Sequence, residues 1–116
     1  MITRLHTGPR MSRIVTHNDT IYLAGQVADD TSQAIQGQTR QVLDKIDQLL
    51  SEAGSDKSNV LSVTIWLADI ADFAEMNAVW DQWVDKAAPP VRATCESRLA
   101  RPDLKVEILL IAARRA

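Results

Sequence analysis

Two residues in the last quarter of the chain combine a reactive chemistry with a suggestive spacing. Glu107 stands inside the apolar run Leu104-Lys105-Val106-Glu107-Ile108-Leu109-Leu110-Ile111. A carboxylate among apolar neighbours has lost water, so it must be paired, hydrogen-bonded or employed in acid/base work. Arg92, fifteen positions earlier, offers a planar fork that can grip a carboxylate through two parallel hydrogen bonds. The two could also form a structural salt bridge with each other, provided their strands pair as a hairpin around Arg101-Pro102-Asp103. Spacing alone leaves both readings open. By strand alternation Thr94 and Glu96 share the face of Arg92, while Val91, Ala93 and Cys95 take the other.

The remaining reactive side chains are less suggestive. Cys95 has no histidine near it in sequence and alternates with Val91 and Ala93, so it reads as a buried, inert thiol. His6 and His17 adjoin turns and read as surface loop residues without a role. Trp80 and Trp83 match helical spacing and read as core or interface, and Arg114 and Arg115 as a solvated tail. No Cys/His cluster has the spacing of a zinc site, and a single cysteine excludes an internal disulfide.

The elements that must position Arg92 and Glu107 follow from periodicity. Arg13 to Val15 and Thr20 to Ala24, joined by Asn18-Asp19, read as a hairpin, closed by Gly25 where a backbone without Cβ is needed. From Thr31 to Ala53 the pattern is helical. Ile35, Val42, Ile46, Leu49, Leu50 and Ala53 lie on one side; Gln38, Arg40, Asp44, Lys45, Asp47 and Glu52 lie on the other. Gly54 suits a left-handed cap. Asn59 to Leu67 reads as a strand with Leu61, Val63, Ile65 and Leu67 on one face. Asp69 caps a second helix reaching about Lys86, striped by Phe73, Met76, Trp80, Trp83 and Val84. Pro89-Pro90 ends helical structure, Val91 to Ser97 is a strand, and Leu104 to Ala112 is the last.

The order β-β-α-β-α-β-β implies an α+β sandwich with both helices on one face of a mixed sheet. In the last strand Val106, Ile108, Leu110 and Ala112 face one way and Leu109 and Ile111 the other. Two helices cover one face only, and an apolar second face in water exceeds what monomers usually expose. An oligomer is therefore expected.

Length and charge narrow the functions. The 116 residues form a single domain, 1–116, with 46% hydrophobic and 24% charged residues, a composition that is neither disordered nor fibrous. A net charge of -2 and a pI near 5.6 argue against a protein that tracks a nucleic-acid backbone. Up to Pro90 there are 7 basic and 12 acidic residues, and from Val91 onward 6 basic and 3 acidic. Arg4, Arg10 and Arg13 precede the first acid, Asp19. If the basic ends meet, they form a cationic site for a small anion. Met1 to Gly8 lacks the apolar core of a signal peptide, and Ile108 to Ala113 is too short to cross a bilayer. A soluble cytoplasmic protein without a membrane partner is expected.

Pro90-Val91-Arg92, followed by Leu104-Lys105-Val106-Glu107-Ile108, resembles the RidA/YjgF family of imine/enamine deaminases. Gly8-Pro9, Ala24-Gly25-Gln26, Ala53-Gly54 and Asp69-Ile70-Ala71-Asp72-Phe73 with Asn77 extend the likeness over nearly the whole chain. The resemblance implies a chorismate-mutase-like fold, a homotrimer with sites between subunits, and hydrolysis of 2-aminoacrylate and related 2-imino or 2-enamino acids to 2-keto acids and ammonia, without metal or cofactor. Arg92 would then hold the substrate carboxylate, and Glu107 the attacking water or a mobile proton. Backbone groups near Gly25 and Thr94 would complete the anion site. Three positions depart from the family pattern: Arg10 replaces a tyrosine, Ala24 a serine and Thr94 a cysteine. These departures resemble the YoaB-like branch. Arg10, if it reaches the cleft, would favour dicarboxylates. A second reading, from the loss of two polar lining groups, is a sensor that binds a small carboxylate or 2-keto acid without turning it over. A ribonuclease, also associated with the family, is not expected from this charge.

Overall fold

The last strand organises the molecule. In the computed structural model, which describes all 116 residues, β6 (Val106–Ala113) alternates strictly between buried and half-buried positions. Val106, Ile108, Leu110 and Ala112 enter the core, as the alternation predicts. On one side β6 pairs antiparallel with β3 (Thr20–Gln26), and on the other antiparallel with β4 (Val60–Leu67). The strands β1 (Ile2–Leu5) and β2 (Ile14–His17) extend the sheet beyond β3, and β5 (Val91–Glu96) runs parallel to β4 at the far edge. The spatial order is β1-β2-β3-β6-β4-β5. Helices α1 (Ile35–Glu52) and α2 (Phe73–Trp83) lie against the face bearing Ile21, Leu23, Val63, Ile65 and Leu67. The architecture is the expected α+β layer on a mixed sheet.

Several local expectations are corrected. The periodic pattern does not announce β1, whose four residues are all exposed and are held by pairing with β2 alone. The first helix starts at Ile35 rather than Thr31, because Asp30 Oδ1 accepts from the Ser32 N–H and hydroxyl, and Thr31 Oγ1 donates to Asp103. Such side-chain bonds compete with the helical ladder. Asp69 does accept the Ala71 N–H, but it caps a single 3-10 turn at Ile70–Asp72, after which α2 ends at Trp83, short of Lys86. A register shift between Val60 and Ser62 turns Leu61 outward, so it is half exposed and off the face of Val63. The last strand begins at Val106 instead of Leu104. The basic ends meet only in part: Arg114 borders a hollow with Thr3 and Leu5 of β1, whereas Arg92 on β5 lies at the opposite edge of the sheet from Arg4 on β1, about 24 Å away at the usual strand spacing.

Left-handed backbone occurs where the chain must turn sharply. Asn18 has φ 55° in the β2–β3 hairpin, a conformation that asparagine tolerates well. Gly54, at φ 82°, follows α1 while the Ser55 N–H returns to the Leu50 carbonyl.

Gln38, expected on the solvent side of α1, is fully buried. Its Nε2 donates to the carbonyls of Gln33 (3.0 Å) and Asp103 (3.1 Å), and its Oε1 accepts the Lys105 N–H at 3.0 Å. One amide thus ties the long connection before β6 to the start of α1. Gln38→Ala strips partners from the backbone groups of Thr31, Gln33, Asp103 and Lys105. The expected cost is about 2–3 kcal/mol in equilibrium urea unfolding, with faster amide exchange at Lys105. A loss below about 0.5 kcal/mol would show that water satisfies these groups instead.

Candidate functional site

Glu107 leaves β6 on the face turned away from the helices, in register with Trp66 and on the side of Leu109 and Ile111. The same face carries Tyr22 of β3 and Thr64 of β4. The Glu107 carboxylate folds over Gly25, where β3 slips register between Leu23 and Gln26. A Cβ built at Gly25 would overlap that carboxylate. Close side-chain approach to the backbone is therefore what requires glycine here, at a position still inside the strand rather than at its end. Glu107 takes part in none of the four ion pairs of the chain.

Arg92 leaves β5 on the opposite side. It stands in register with Val63, a core residue of the helix-bearing face. Its guanidinium lies 5.1 Å from the Trp80 ring centre and 5.9 Å from that of Phe73, both on α2. Cation–π attraction offsets part of the lost hydration. Partial burial nevertheless pushes the Arg92 pKa below the ordinary arginine value, while the nearby Asp81 charge pulls the other way. Arginine remains charged through such a shift. Like Glu107, Arg92 has no carboxylate partner in the chain.

The two residues are not neighbours. β5 and β6 do not form a hairpin, because β4 lies between them. Arg92 is level with Val63 and Leu110, whereas Glu107 is level with Trp66 and Cys95. Three residues along the strands and two strands across put their Cα atoms about 14 Å apart, with side chains on opposite faces. The intramolecular salt bridge is thereby excluded.

The other sequence candidates fall around these two. Thr94 follows Arg92 on the helix-facing side, level with Ile65, and its Oγ1 is buried without a hydrogen-bond partner. Arg10 is exposed in the loop between β1 and β2. That loop joins the sheet beside the Ala24 N–H, which donates to the Arg13 carbonyl; it lies far from Arg92 at the opposite edge. Cys95 is exposed on the open face, level with Trp66, which corrects the expectation of a buried thiol. Alternation was read rightly for Cys95, but that face is uncovered. His6, given no role, pairs with Glu52 at the end of α1.

Trp80 and Trp83 are buried, with ring centres 5.2 Å apart. The Trp83 Nε1–H donates to Asp47 at 3.0 Å, and burial raises the Asp47 pKa against that bond. Sequence periodicity found Trp80 and Phe73 but not their use as a floor for Arg92, since it does not report which strand lies beneath a helix.

No group of three or more His, Cys, Asp or Glu side chains is placed to hold a metal ion, and no helix is long and apolar enough to cross a membrane. The largest hollow, about 730 Å³, lies beside the connection after β5 and is lined by Glu96, Arg98, Leu99, Arg101 and Leu104 among others. Neither Arg92 nor Glu107 lines it. What the chain offers is a guanidinium without a counter-ion on one face of the sheet and a carboxylate without a counter-ion on the other.

Comparison with known proteins agrees with this arrangement of the chain. Residues 1–114 match the family model described as Endoribonuclease L-PSP. A RutC family protein of Haemophilus influenzae is 48% identical over 112 residues, 96% of this chain and 97% of that protein. The RutC family protein YoaB of Escherichia coli (strain K12) is 43% identical over 112 residues, 97% of each chain. The crystal structure of a YjgF family member from Neisseria meningitidis superposes with a TM-score of 0.97 at 45% identity, covering 100% of this chain and 97% of that one. With matches of this extent in both sequence and fold, the chain belongs to the RidA/YjgF family.

Proposed function

We propose that the protein hydrolyses 2-imino and 2-enamino acids, such as 2-aminoacrylate and its imine, to 2-keto acids and ammonia in clefts between identical chains of a homotrimer. The observation that carries this reading is Arg92: a guanidinium drawn partly out of water, laid over two aromatic rings and left without a carboxylate. An unpaired buried charge is expensive, and a ligand carboxylate is the natural complement for its planar fork.

The faces of the sheet support a site shared between chains. Arg92 and Glu107 emerge on opposite sides, so a small ligand touching both takes them from different copies of the chain. The open face, with Tyr22, Trp66, Leu109 and Ile111 around Glu107, is also the surface whose apolar area calls for cover. In the proposed cleft Arg92 fixes the substrate carboxylate and so the position of C2. Glu107 of a neighbouring copy holds a water and accepts its proton as the oxygen bonds to C2. The proton passes to nitrogen to give the carbinolamine; its hydroxyl proton then follows to nitrogen by way of the same carboxylate as the C–N bond breaks, and ammonia leaves with the 2-keto acid as product. For an enamine, protonation of the C3 methylene carbon first gives the imine. Gly25 lets the Glu107 carboxylate lie close to the backbone, and Thr94 borders the guanidinium. Excluding water strengthens each contact.

The second reading, binding of a 2-keto acid without turnover, is favoured by one feature: Thr94 and Ala24 stand where the family pattern carries a thiol and a hydroxyl. One assay separates the two. Purified protein is expected to speed ammonia release from freshly generated 2-aminoacrylate. Arg92→Ala should lose this activity and weaken 2-ketobutyrate binding by about 100-fold or more. Glu107→Gln should retain binding within a few-fold and lose turnover by about 100-fold or more. A wild-type rate equal to buffer, with Arg92-dependent binding intact, selects the sensor.

Mixing tests the division of labour between copies. When the two inactive variants are unfolded, combined in equal amounts and refolded together, random assembly restores activity to about a quarter of wild type. Activity staying at the level of the separate variants would contradict a site shared between chains.

A further inference from the structure

Among the polar side-chain atoms buried in this chain, two have no hydrogen-bond partner: Asn77 Oδ1 and Thr94 Oγ1. Their places in the fold converge on Arg92. Thr94 lies two residues along β5 from Arg92, on the same side of the strand and level with Ile65. Asn77 lies on α2 four residues after Phe73 and three before Trp80. Those are the two rings over which the Arg92 guanidinium lies, and helical spacing sets Asn77 on the same stripe between them. Two vacant acceptors therefore belong to residues on the strand and helix that flank an arginine paired with no carboxylate in the chain.

Native structures rarely leave such atoms unpaired without a reason. A guanidinium carries five N–H donors, and a carboxylate held through parallel bonds uses two. In a cleft closed to water the other donors need acceptors, and stacking on rings provides none. We propose that Asn77 and Thr94 are positioning residues for Arg92: when a carboxylate occupies the outer edge of the guanidinium, its inner N–H groups turn onto Asn77 Oδ1 and Thr94 Oγ1. Those bonds set the plane of the fork, and with it the direction from which the ligand's C2 is presented. The inference rests on the carboxylate-binding part of the proposed function and extends it to two residues that need not touch the ligand. The threonine hydroxyl at position 94 thereby has a task of its own in holding the arginine.

Calorimetry with 2-ketobutyrate and ligand-free thermal melts, both on the full chain, test this. Asn77→Ala and Thr94→Val are expected to raise Kd about tenfold each, the usual worth of a hydrogen bond to a charged group. Thr94→Ser keeps the acceptor and should stay within about twofold of wild type. Without ligand, Thr94→Val should melt at or above the wild-type temperature, because the hydroxyl it removes makes no bond in that state. In an Arg92→Ala background Thr94→Val should cause no further loss of affinity. The inference is overturned if Arg92→Ala weakens binding while Asn77→Ala and Thr94→Val do not. It is equally overturned if affinity and melting temperature fall together in those variants, the mark of a merely structural role. If wild type shows no saturable binding, or Arg92→Ala binds like wild type, the carboxylate reading itself fails and this inference falls with it.

Discussion

The structure turns on the cost of holding a guanidinium partly out of water without a counter-charge. Arg92 could reach water freely from an edge strand, yet it lies over Trp80 and Phe73 with its charged state disfavoured by burial. Cation–π contact at such a site is worth on the order of 1 kcal/mol, less than a hydrogen-bonded carboxylate would supply. A chain selected for stability alone would place an acid beside it. Asp81 comes close enough for its charge to be felt but does not form an ion pair. The arginine is thus held in place by rings and left electrically open.

The sheet order then determines what one chain can do by itself. Because β4 separates β5 from β6, the arginine and the glutamate belong to opposite faces, and no side-chain rotation brings them together. A simple β5–β6 hairpin would have allowed them to neutralise each other as a salt bridge. Parallel pairing of β4 with β5 keeps both charges unsatisfied within the chain. Parallel neighbours need a crossover between them, and α2 is that crossover. The element that forces the strands apart is also the one that supplies Trp80 and Phe73 to Arg92.

What was legible in the sequence was whatever depends on local periodicity. The two sides of β6, the apolar stripe of α2 and the stop at Gly54 all follow from residue spacing within one element. What was not legible depends on partners distant in the chain. The β5–β6 pairing looked plausible because Arg101-Pro102-Asp103 makes a turn, but a turn does not say which strand receives the chain. Gln38 looked solvent-facing because it is polar, and it is buried because the Asp103 and Lys105 backbone meets it from 65 or more residues away. Cys95 was placed on its proper face, but the covering of that face was misjudged. The exposed β1 offers neither hydrophobic alternation nor a core to join. Arg92 and Glu107 stand out as candidates by type and spacing, but their separation by the sheet is not legible from the chain.

Glycine at position 25 connects these constraints. The register slip in β3 falls opposite the start of β6, which brings the Gly25 backbone directly under the Glu107 side chain, and the missing Cβ is what gives the carboxylate its seat. A side chain there would push the carboxylate away from the strand, even though the core behind it remained unchanged. The departure from regular pairing therefore costs ladder hydrogen bonds in order to hold one acid flat against the open face. Bulges commonly re-aim a side chain in this way beside functional surfaces. Arg92 is restrained on its own face by rings and Glu107 on the other by a gap in the backbone, so each is oriented within the single chain. For the proposed small-acid ligand, this leaves little ordering to be done on binding, the condition under which a few polar contacts suffice.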